Sequence, residues 1–158
     1  MKRCLFALLL FITTNLSADV TFSMIKPSAV RDNEVGAILD QVECAGYHIA
    51  ALKMTRLSEA QVKAFYKEHE GKPFFQDIIK NMTSGPVVAF VVEGKEVQKG
   101  MRKLIGATDP ANADPFTIRA LFGKTVSEND IHGSDSEEAA TREIAFFFKP
   151  DEIFLSSK

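Results

Sequence analysis

The chain has 158 residues, of which 46% are hydrophobic and 25% are charged, with 9 glycines, 6 prolines and 2 cysteines. These proportions exclude collagen-like, disordered and disulfide-stapled proteins, and the length favours one domain with a single core. The formal net charge of −2 and the lack of a Lys/Arg run argue against nucleic acid as a partner, so any anion site must be local. No apolar stretch in the sequence reaches the roughly 18 residues that a stable membrane span needs.

The first 18 residues differ in character from the rest of the chain. Lys2 and Arg3 precede an apolar run over residues 4–12, and small or polar residues follow up to Ala18. This order predicts a secretory signal peptide cleaved after Ala18, and the alternative is a mis-called start; the domain itself occupies residues 19–158. Without residues 1–18 a single cysteine, Cys44, remains. One thiol suits a cytoplasmic location, whereas a genuine leader would make the location extracytoplasmic.

Hydrophobic periodicity predicts alternating strands and helices. The predicted strands span residues 20–25, 47–57, 87–92 and 146–148. The predicted helices span residues 33–45, 58–70, 74–82, 95–105, 117–122 and 136–145, and residues 123–136 form a polar loop. This order predicts an α+β fold of the ferredoxin-like split βαβ type, in which helices cover one face of a four-stranded antiparallel sheet.

The three histidines have different sequence surroundings. His48 lies in a predicted strand, which indicates a structural role, and His69 ends a helix, where an imidazole is a common surface feature. His132 lies in a loop of small and polar residues just before a helix, whose backbone N–H groups can bind an anion; a simple turn is the alternative. Glu143, on that helix, could hold one ring nitrogen and leave the other to attack, or it is a solvated helix residue.

A phosphate-binding loop of the P-loop type is excluded. Gly123-Lys124-Thr125 matches the end of that motif, but position 118 is Ile where the motif requires Gly. Positive side chains occur instead near the ends of predicted elements or within short helices. They are Lys26, Arg102 and Arg119, each of which taken singly indicates an ordinary surface charge.

Six segments together carry a family resemblance. They are residues 21–27 (TFSMIKP), 72–75 (KPFF), 84–88 (SGPVV), 106–110 (GATDP), 117–119 (TIR) and 129–136 (NDIHGSDS). They occur in order over about residues 20–154, and the last segment is highly specific. The chain thereby resembles the nucleoside diphosphate kinase family.

This resemblance implies a reaction and a catalytic group. The γ-phosphoryl of ATP or another nucleoside triphosphate would pass to a nucleoside or deoxynucleoside diphosphate by a ping-pong mechanism through a phosphohistidine. By position, His132 would attack through its δ nitrogen, Glu143 would hold the other ring nitrogen, and Ser134 would support the loop. Mg²⁺ would be the cofactor, bound with the nucleotide phosphates, and Asp135 would approach its water shell without ligating it directly.

The resemblance also implies how the nucleotide is held. The residues matching the family's phosphate contacts are Lys26, Tyr66, Arg102, Thr108 and Arg119. Lys26 and Asn129 match contacts to the ribose hydroxyls, and Phe74 and Val126 match an apolar clamp on the base. Three cations with one Mg²⁺ can balance the roughly four negative charges of a triphosphate, and an aromatic ring stacks on any base.

The resemblance further implies a homo-oligomer, either a tetramer or a hexamer, because Pro110 and Pro115 match the loop that supports the family's assemblies. Four residues depart from the family pattern. Phe116 replaces a usual Gly and would be strained if its φ is positive, and Ser28 follows the Lys-Pro pair where Asp or Gly is usual. Glu128 and Asp130 flank Asn129 and would weaken nucleotide binding if they point inward.

Two further functions compete with the kinase. An exported, non-catalytic nucleotide-binding homologue is the alternative suggested by the leader and the altered flanking residues. A phosphatase that uses a phosphohistidine is a third hypothesis, but nothing in the sequence indicates a dedicated site for a hydrolytic water.

Overall fold

The computed structural model describes residues 20–156, which contain one antiparallel sheet. Its strands are β1 (Val20–Ile25), β2 (His48–Thr55), β3 (Val87–Glu93) and β4 (Ile131–Gly133), in the spatial order β2-β3-β1-β4. The two central strands pair antiparallel over the whole of β1, with Val20 opposite Glu93 and Ile25 opposite Val88. The predicted ferredoxin-like α+β class is therefore confirmed.

Helices connect these strands. They are α1 (Pro27–Arg31), α2 (Val35–Cys44), α3 (Glu59–Phe65), α4 (Phe75–Thr83), α5 (Val97–Ile105), α6 (Ile118–Phe122) and α7 (Glu137–Phe147). Local sequence explains several of their starts: α1 has Pro27 at its first position, and α3 opens on a reciprocal capping box between Ser58 and Gln61. Pro27 has no N–H that α1 would leave unpaired, and the capping box satisfies two backbone N–H groups at the start of α3.

Helices cover both faces of the sheet, which corrects the prediction of a single covered face. Side chains alternate along β3, so Val87, Ala89 and Val91 face one core and Val88, Phe90 and Val92 face the other. The first core is closed by α3, α4 and α7, and the second by α2, α5 and α6. A strand buried on both faces has a continuous apolar sequence, and the uninterrupted run over β3 shows this pattern.

The fourth strand lies elsewhere than predicted. Residues 146–148 complete α7 and its C-cap instead of forming a strand, and Phe147 stacks on Phe22 of β1 with ring centroids 5.2 Å apart. The true fourth strand, β4, falls inside the predicted loop. A short apolar run fits a strand or a helix end equally well, and three residues are too few for periodicity to reveal a strand.

The sequence predicts no membrane span and a signal peptide at the N-terminus. Within residues 20–156, no helix combines the length and the apolar character that crossing a bilayer requires. The predicted signal peptide at residues 1–18 lies outside the described residues.

Candidate active site

The sheet carries His132 into a cavity. His132 is the central residue of β4 and lies opposite Met24 of β1, so the backbone ladder fixes its position. Its imidazole is surrounded by aromatic rings, with centroids 5.3 Å from Phe65, 5.9 Å from Tyr66 and 6.1 Å from Phe22. These rings restrict the imidazole to one orientation on the edge strand.

A buried carboxylate holds one nitrogen of this ring. Glu143 projects from α7 with only 3% of its surface exposed, and its Oε2 lies 2.9 Å from Nε2 of His132. The Ser134 hydroxyl donates to the same oxygen at 2.6 Å. Because a carboxylate accepts hydrogen bonds, Nε2 carries the ring hydrogen and Nδ1 keeps its lone pair. The geometry is that of a nucleophilic imidazole with a fixed tautomer.

The three cationic side chains singled out in the sequence, Lys26, Arg102 and Arg119, line the same cavity, and Arg31 lines it as well. Arg119 donates to the carbonyl oxygens of Gly106 at 3.0 Å and Ile131 at 2.9 Å, and Arg102 donates to that of Gly133 at 3.4 Å. Lys26 donates from Nζ to Oδ1 of Asn129 at 2.6 Å.

Burial and mutual repulsion disfavour the charges of Lys26 and Arg119 in the free protein. Burial and the nearby Arg119 lower the pKa of Lys26 to about 8. Burial and Arg102 lower the pKa of Arg119 to about 10. Positive charges held together in this way favour an anion between them. The cavity is therefore electrostatically suited to phosphate groups.

The cavity has a volume of about 500 Å³ and brings together all the predicted nucleotide-binding residues. These are Lys26, Tyr66, Phe74, Arg102, Thr108, Arg119, Val126 and Asn129, and His132, Asp135 and Glu143 line it as well. Ser134 does not line the cavity and contacts His132 only through Glu143. Asn129 also donates to the Thr108 carbonyl at 2.9 Å, which joins two loops of the wall. Phe74 and Val126 are 49% and 53% exposed and lie at the mouth.

His69 is a site residue that the sequence did not reveal. The centroid of its ring lies 6.0 Å from that of Tyr66 and 5.7 Å from that of Phe74. His69 lines the cavity instead of facing away from it. The signal that could have found it is its spacing of three residues from Tyr66, which places two side chains on one side of a helical turn. His48 lies on β2 outside the cavity, 3.3 Å from the Phe154 carbonyl.

The residues that depart from the family pattern have distinct surroundings. Phe116 has a φ of 68° and is 82% exposed, so the expected backbone strain is present there. Asp130, 1% exposed, does not line the cavity; its carboxylate accepts a hydrogen bond from the Ser28 hydroxyl, and burial raises its pKa. Glu128 does line the mouth, and Arg31 pairs with it at 3.2 Å. The Asp130 carboxylate thus lies outside the cavity, and the negative charge of Glu128 is paired with Arg31.

Comparison with known proteins agrees with this geometry. The family model described as nucleoside diphosphate kinase matches residues 19–153. The nucleoside diphosphate kinase of Moorella thermoacetica is 53% identical over 138 residues, which cover 87% of this chain and 99% of the relative. Nucleoside diphosphate kinase 1 of Protochlamydia amoebophila is 48% identical over 138 residues, with 87% and 98% covered.

Solved structures give the same result. The Aquifex aeolicus nucleoside diphosphate kinase superposes with a TM-score of 0.83 at 43% identity, covering 85% of this chain and 98% of that one. The Halobacterium salinarum nucleoside diphosphate kinase, solved in complex with CDP, superposes with a TM-score of 0.85 at 41% identity, covering 89% of this chain and 93% of that one. A fixed imidazole in a cation-lined cavity, on a fold shared with these enzymes, identifies the chain as a phosphotransferase.

This chain belongs to the nucleoside diphosphate kinase family. The predicted family, enzyme class and kinase function are confirmed, and the non-catalytic alternative is not favoured.

Proposed function

We propose that the chain moves the γ-phosphoryl of ATP or another nucleoside triphosphate to a nucleoside or deoxynucleoside diphosphate through Nδ1 of His132. The observation that carries this proposal is the 2.9 Å contact between Nε2 and Glu143 inside a cavity lined by Lys26, Arg102 and Arg119. It fixes the hydrogen on one nitrogen and leaves the other for bond formation.

The first half of the reaction follows from this arrangement. The Nδ1 lone pair forms a bond to the γ-phosphorus, the bond from that phosphorus to the bridging oxygen breaks, and the electron pair leaves with the diphosphate. The ring then carries positive charge, which the Glu143 carboxylate stabilises through Nε2–H. Lys26, Arg102 and Arg119 offset the negative charge of the phosphates. The second half reverses these steps onto another diphosphate, which makes the mechanism ping-pong.

The rest of the nucleotide would lie between the phosphate site and the mouth. Lys26 and Asn129, joined at 2.6 Å, would contact the ribose hydroxyls. Phe74 and Val126 would hold the base between apolar surfaces, and His69 beside Phe74 extends this wall. Apolar contact and stacking carry little base selectivity, so we expect all common bases to be accepted.

The residues present fit Mg²⁺ that is carried by the nucleotide. Within residues 20–156 there is no cluster of three or more His, Cys, Asp or Glu side chains suited to hold a metal ion. Mg²⁺ keeps several waters and binds through phosphates with one or two carboxylates, and Asp135 at the cavity wall can approach it through water. When bound, the ion neutralises phosphate charge.

Assembly and location complete the proposal. A homo-oligomer, tetramer or hexamer, is supported by Pro110 and Pro115 and by Phe116, which exposes a large apolar ring in the same loop. A cytoplasmic location is supported by the single cysteine left after residue 18 and by the supply of nucleotides there. Sequencing the N-terminus of the native protein tests this location: Asp19 as the first residue indicates cleavage and export.

Labelling with γ-³²P-ATP tests the reaction. We expect an acid-labile, alkali-stable phosphoprotein that loses its label to added GDP. His132→Gln should give no label, because its side chain cannot form the phosphoramidate, whereas His48→Gln, outside the cavity, should label normally. Wild-type turnover equal to that of His132→Gln, with ADP binding retained, would contradict the proposal and favour a non-catalytic nucleotide-binding protein.

A further inference from the structure

Two side chains outside the cavity hold the segment that follows His132. Gln98, on α5, donates from Nε2 to the Ser134 carbonyl at 2.7 Å, and its Oε1 accepts from the Thr21 hydroxyl of β1 at 2.5 Å. Neither Gln98 nor Thr21 lines the cavity. Their hydrogen bonds therefore act on the backbone of the catalytic loop and not on a bound nucleotide.

The orientation of the Gln98 amide is determined by its partners. The Ser134 carbonyl can only accept a hydrogen bond, so the amide nitrogen must face it. The amide oxygen then faces Thr21, whose hydroxyl can donate to it. Reversing the amide would place two carbonyl oxygens against each other, so Ser134 determines the orientation, and the buried Thr21 hydroxyl, which can donate or accept, holds the amide oxygen in it.

Ser134 is the residue through which this contact reaches the nucleophile. Its backbone N–H donates to the Phe22 carbonyl at 3.1 Å, and its hydroxyl donates to Glu143 Oε2, the oxygen that also contacts His132. The strand before it, β4, has only three residues and pairs on one side, with β1. Gln98 supports the Ser134 carbonyl from the side that α5 covers. Arg102, four residues further along α5, donates to the Gly133 carbonyl.

We propose that Gln98, oriented by Thr21, is a positioning residue for phosphoryl transfer: it keeps the Ser134 hydroxyl on Glu143 and thereby maintains the reactive tautomer of His132. This inference rests on the proposed function of His132. Displacement of a reacting group by about 1 Å can slow a reaction about 10²-fold, so a modest shift of the loop has a measurable effect.

The test replaces the amide in the full-length protein. In Gln98→Leu, which has a similar size and no polar group, we expect phosphohistidine formation, measured by rapid quench, to slow about tenfold or more, with the nucleotide KM within about twofold. Thr21→Val should have a smaller effect in the same direction, and Thr21→Ser should retain the wild-type rate because it keeps the hydroxyl. Gln41→Leu on α2, another half-buried glutamine outside the cavity, is the matched control.

A second readout does not depend on turnover. The ¹⁵N signals of the His132 ring, assigned by comparison with His132→Gln, report which nitrogen carries the hydrogen. We expect Gln98→Leu to increase the population protonated at Nδ1, and Gln41→Leu to leave it unchanged. If the wild-type protein forms no phosphohistidine, the proposed function fails, while these signals still test Gln98.

Two results would overturn the inference. One is that Gln98→Leu and Thr21→Val behave like Gln41→Leu in rate and in ring signals. The other is that the rate falls together with the unfolding temperature while the His132 signals stay unchanged, which would assign Gln98 a structural role only.

Discussion

The inner and outer ends of the cavity are built in opposite ways. At the inner end, His132, Glu143 and Ser134 are tied by short hydrogen bonds, and Glu143 and Ser134 are almost completely buried. At the outer end, Phe74 and Val126 leave about half of their surface to solvent and offer only apolar contact. On the proposed function, this contrast makes the inner end specific for a chemical step, whereas the outer end would tolerate different bases.

The two ends also depend on different kinds of structure. The inner end depends on β1, β4 and α7, which come from distant parts of the chain and are held by pairing and by the first core. The outer end depends on the residue before α4 and on the loop between α6 and β4. Substitutions at the inner end should therefore change the rate of the reaction, and those at the outer end should change nucleotide affinity.

The largest effect is expected at Glu143. Glu143→Gln retains the shape but removes the charge that stabilises the phosphorylated ring, and it replaces one of the two acceptor oxygens by an N–H donor, so the tautomer is no longer fixed. We expect the rate of phosphohistidine formation to fall about 10²- to 10⁴-fold, by analogy with the loss of a histidine-orienting carboxylate in hydrolases. Rapid-quench labelling measures this rate, and Glu138→Gln, exposed on the same helix, is the control. A loss of rate below tenfold would show that the reaction does not depend on the Glu143 carboxylate at the inner end.

An intermediate effect is expected from the charge of Lys26, between the two ends. Burial and Arg119 lower its pKa to about 8, so raising the pH through 8 removes its charge in the free protein. The nucleotide Kd should then rise by up to about tenfold per pH unit, whereas Lys26→Arg should keep its charge and show no such rise. Isothermal titration at pH 7 and pH 9 checks this expectation, and equal affinities at the two pH values would contradict it.

The same residue has the opposite effect on folding. The folded-state pKa lies below the unfolded value of about 10.4, so between about pH 8 and pH 10 the unfolded chain binds more protons at Lys26. Its contribution to the free energy of unfolding therefore increases with pH over the window in which nucleotide affinity falls. Denaturant unfolding of wild type and Lys26→Arg over this window separates the contribution of Lys26 from those of other groups.

The smallest effect is expected at the outer end. Phe74→Ala removes a stacking surface, which contributes about 1–3 kcal/mol per base, and the half-exposed ring favours the low end of this range, so the KM should rise about fivefold with kcat nearly unchanged. The ratio of mutant to wild-type KM should be similar for ATP, GTP and CTP, because stacking does not distinguish bases. Phe154→Ala, another exposed phenylalanine outside the cavity, should leave the KM unchanged. A KM change confined to one base would show that the mouth is selective.

The sequence predicted the parts of the fold that depend on local pattern. The apolar runs of β1 and β3 and the helical spacing of α2 and α5 are local, and each was predicted within a few residues. β4 was missed because it is a strand only through its pairing with β1, and neither Gly133 nor His132 favours a strand.

The site divides in the same way. The motif around His132 and the position of Glu143 predicted the inner end, and the cations at Lys26, Arg102 and Arg119 do line one cavity. His69 was missed because a histidine at a helix end fits a surface position as well as a cavity wall. The Ser28–Asp130 contact joins residues 102 positions apart, so no local pattern could indicate that Asp130 turns away from the cavity.

A single reactive nitrogen in one cavity has a kinetic consequence. On the proposed mechanism, donor and acceptor bind in the same space at different times. A diphosphate that binds before His132 is phosphorylated occupies the site but receives no phosphoryl group. Excess diphosphate should therefore hold the unphosphorylated protein in an unproductive complex. Exchange would then be fastest when triphosphates outnumber diphosphates, which would tie turnover to the energy state of the nucleotide pool.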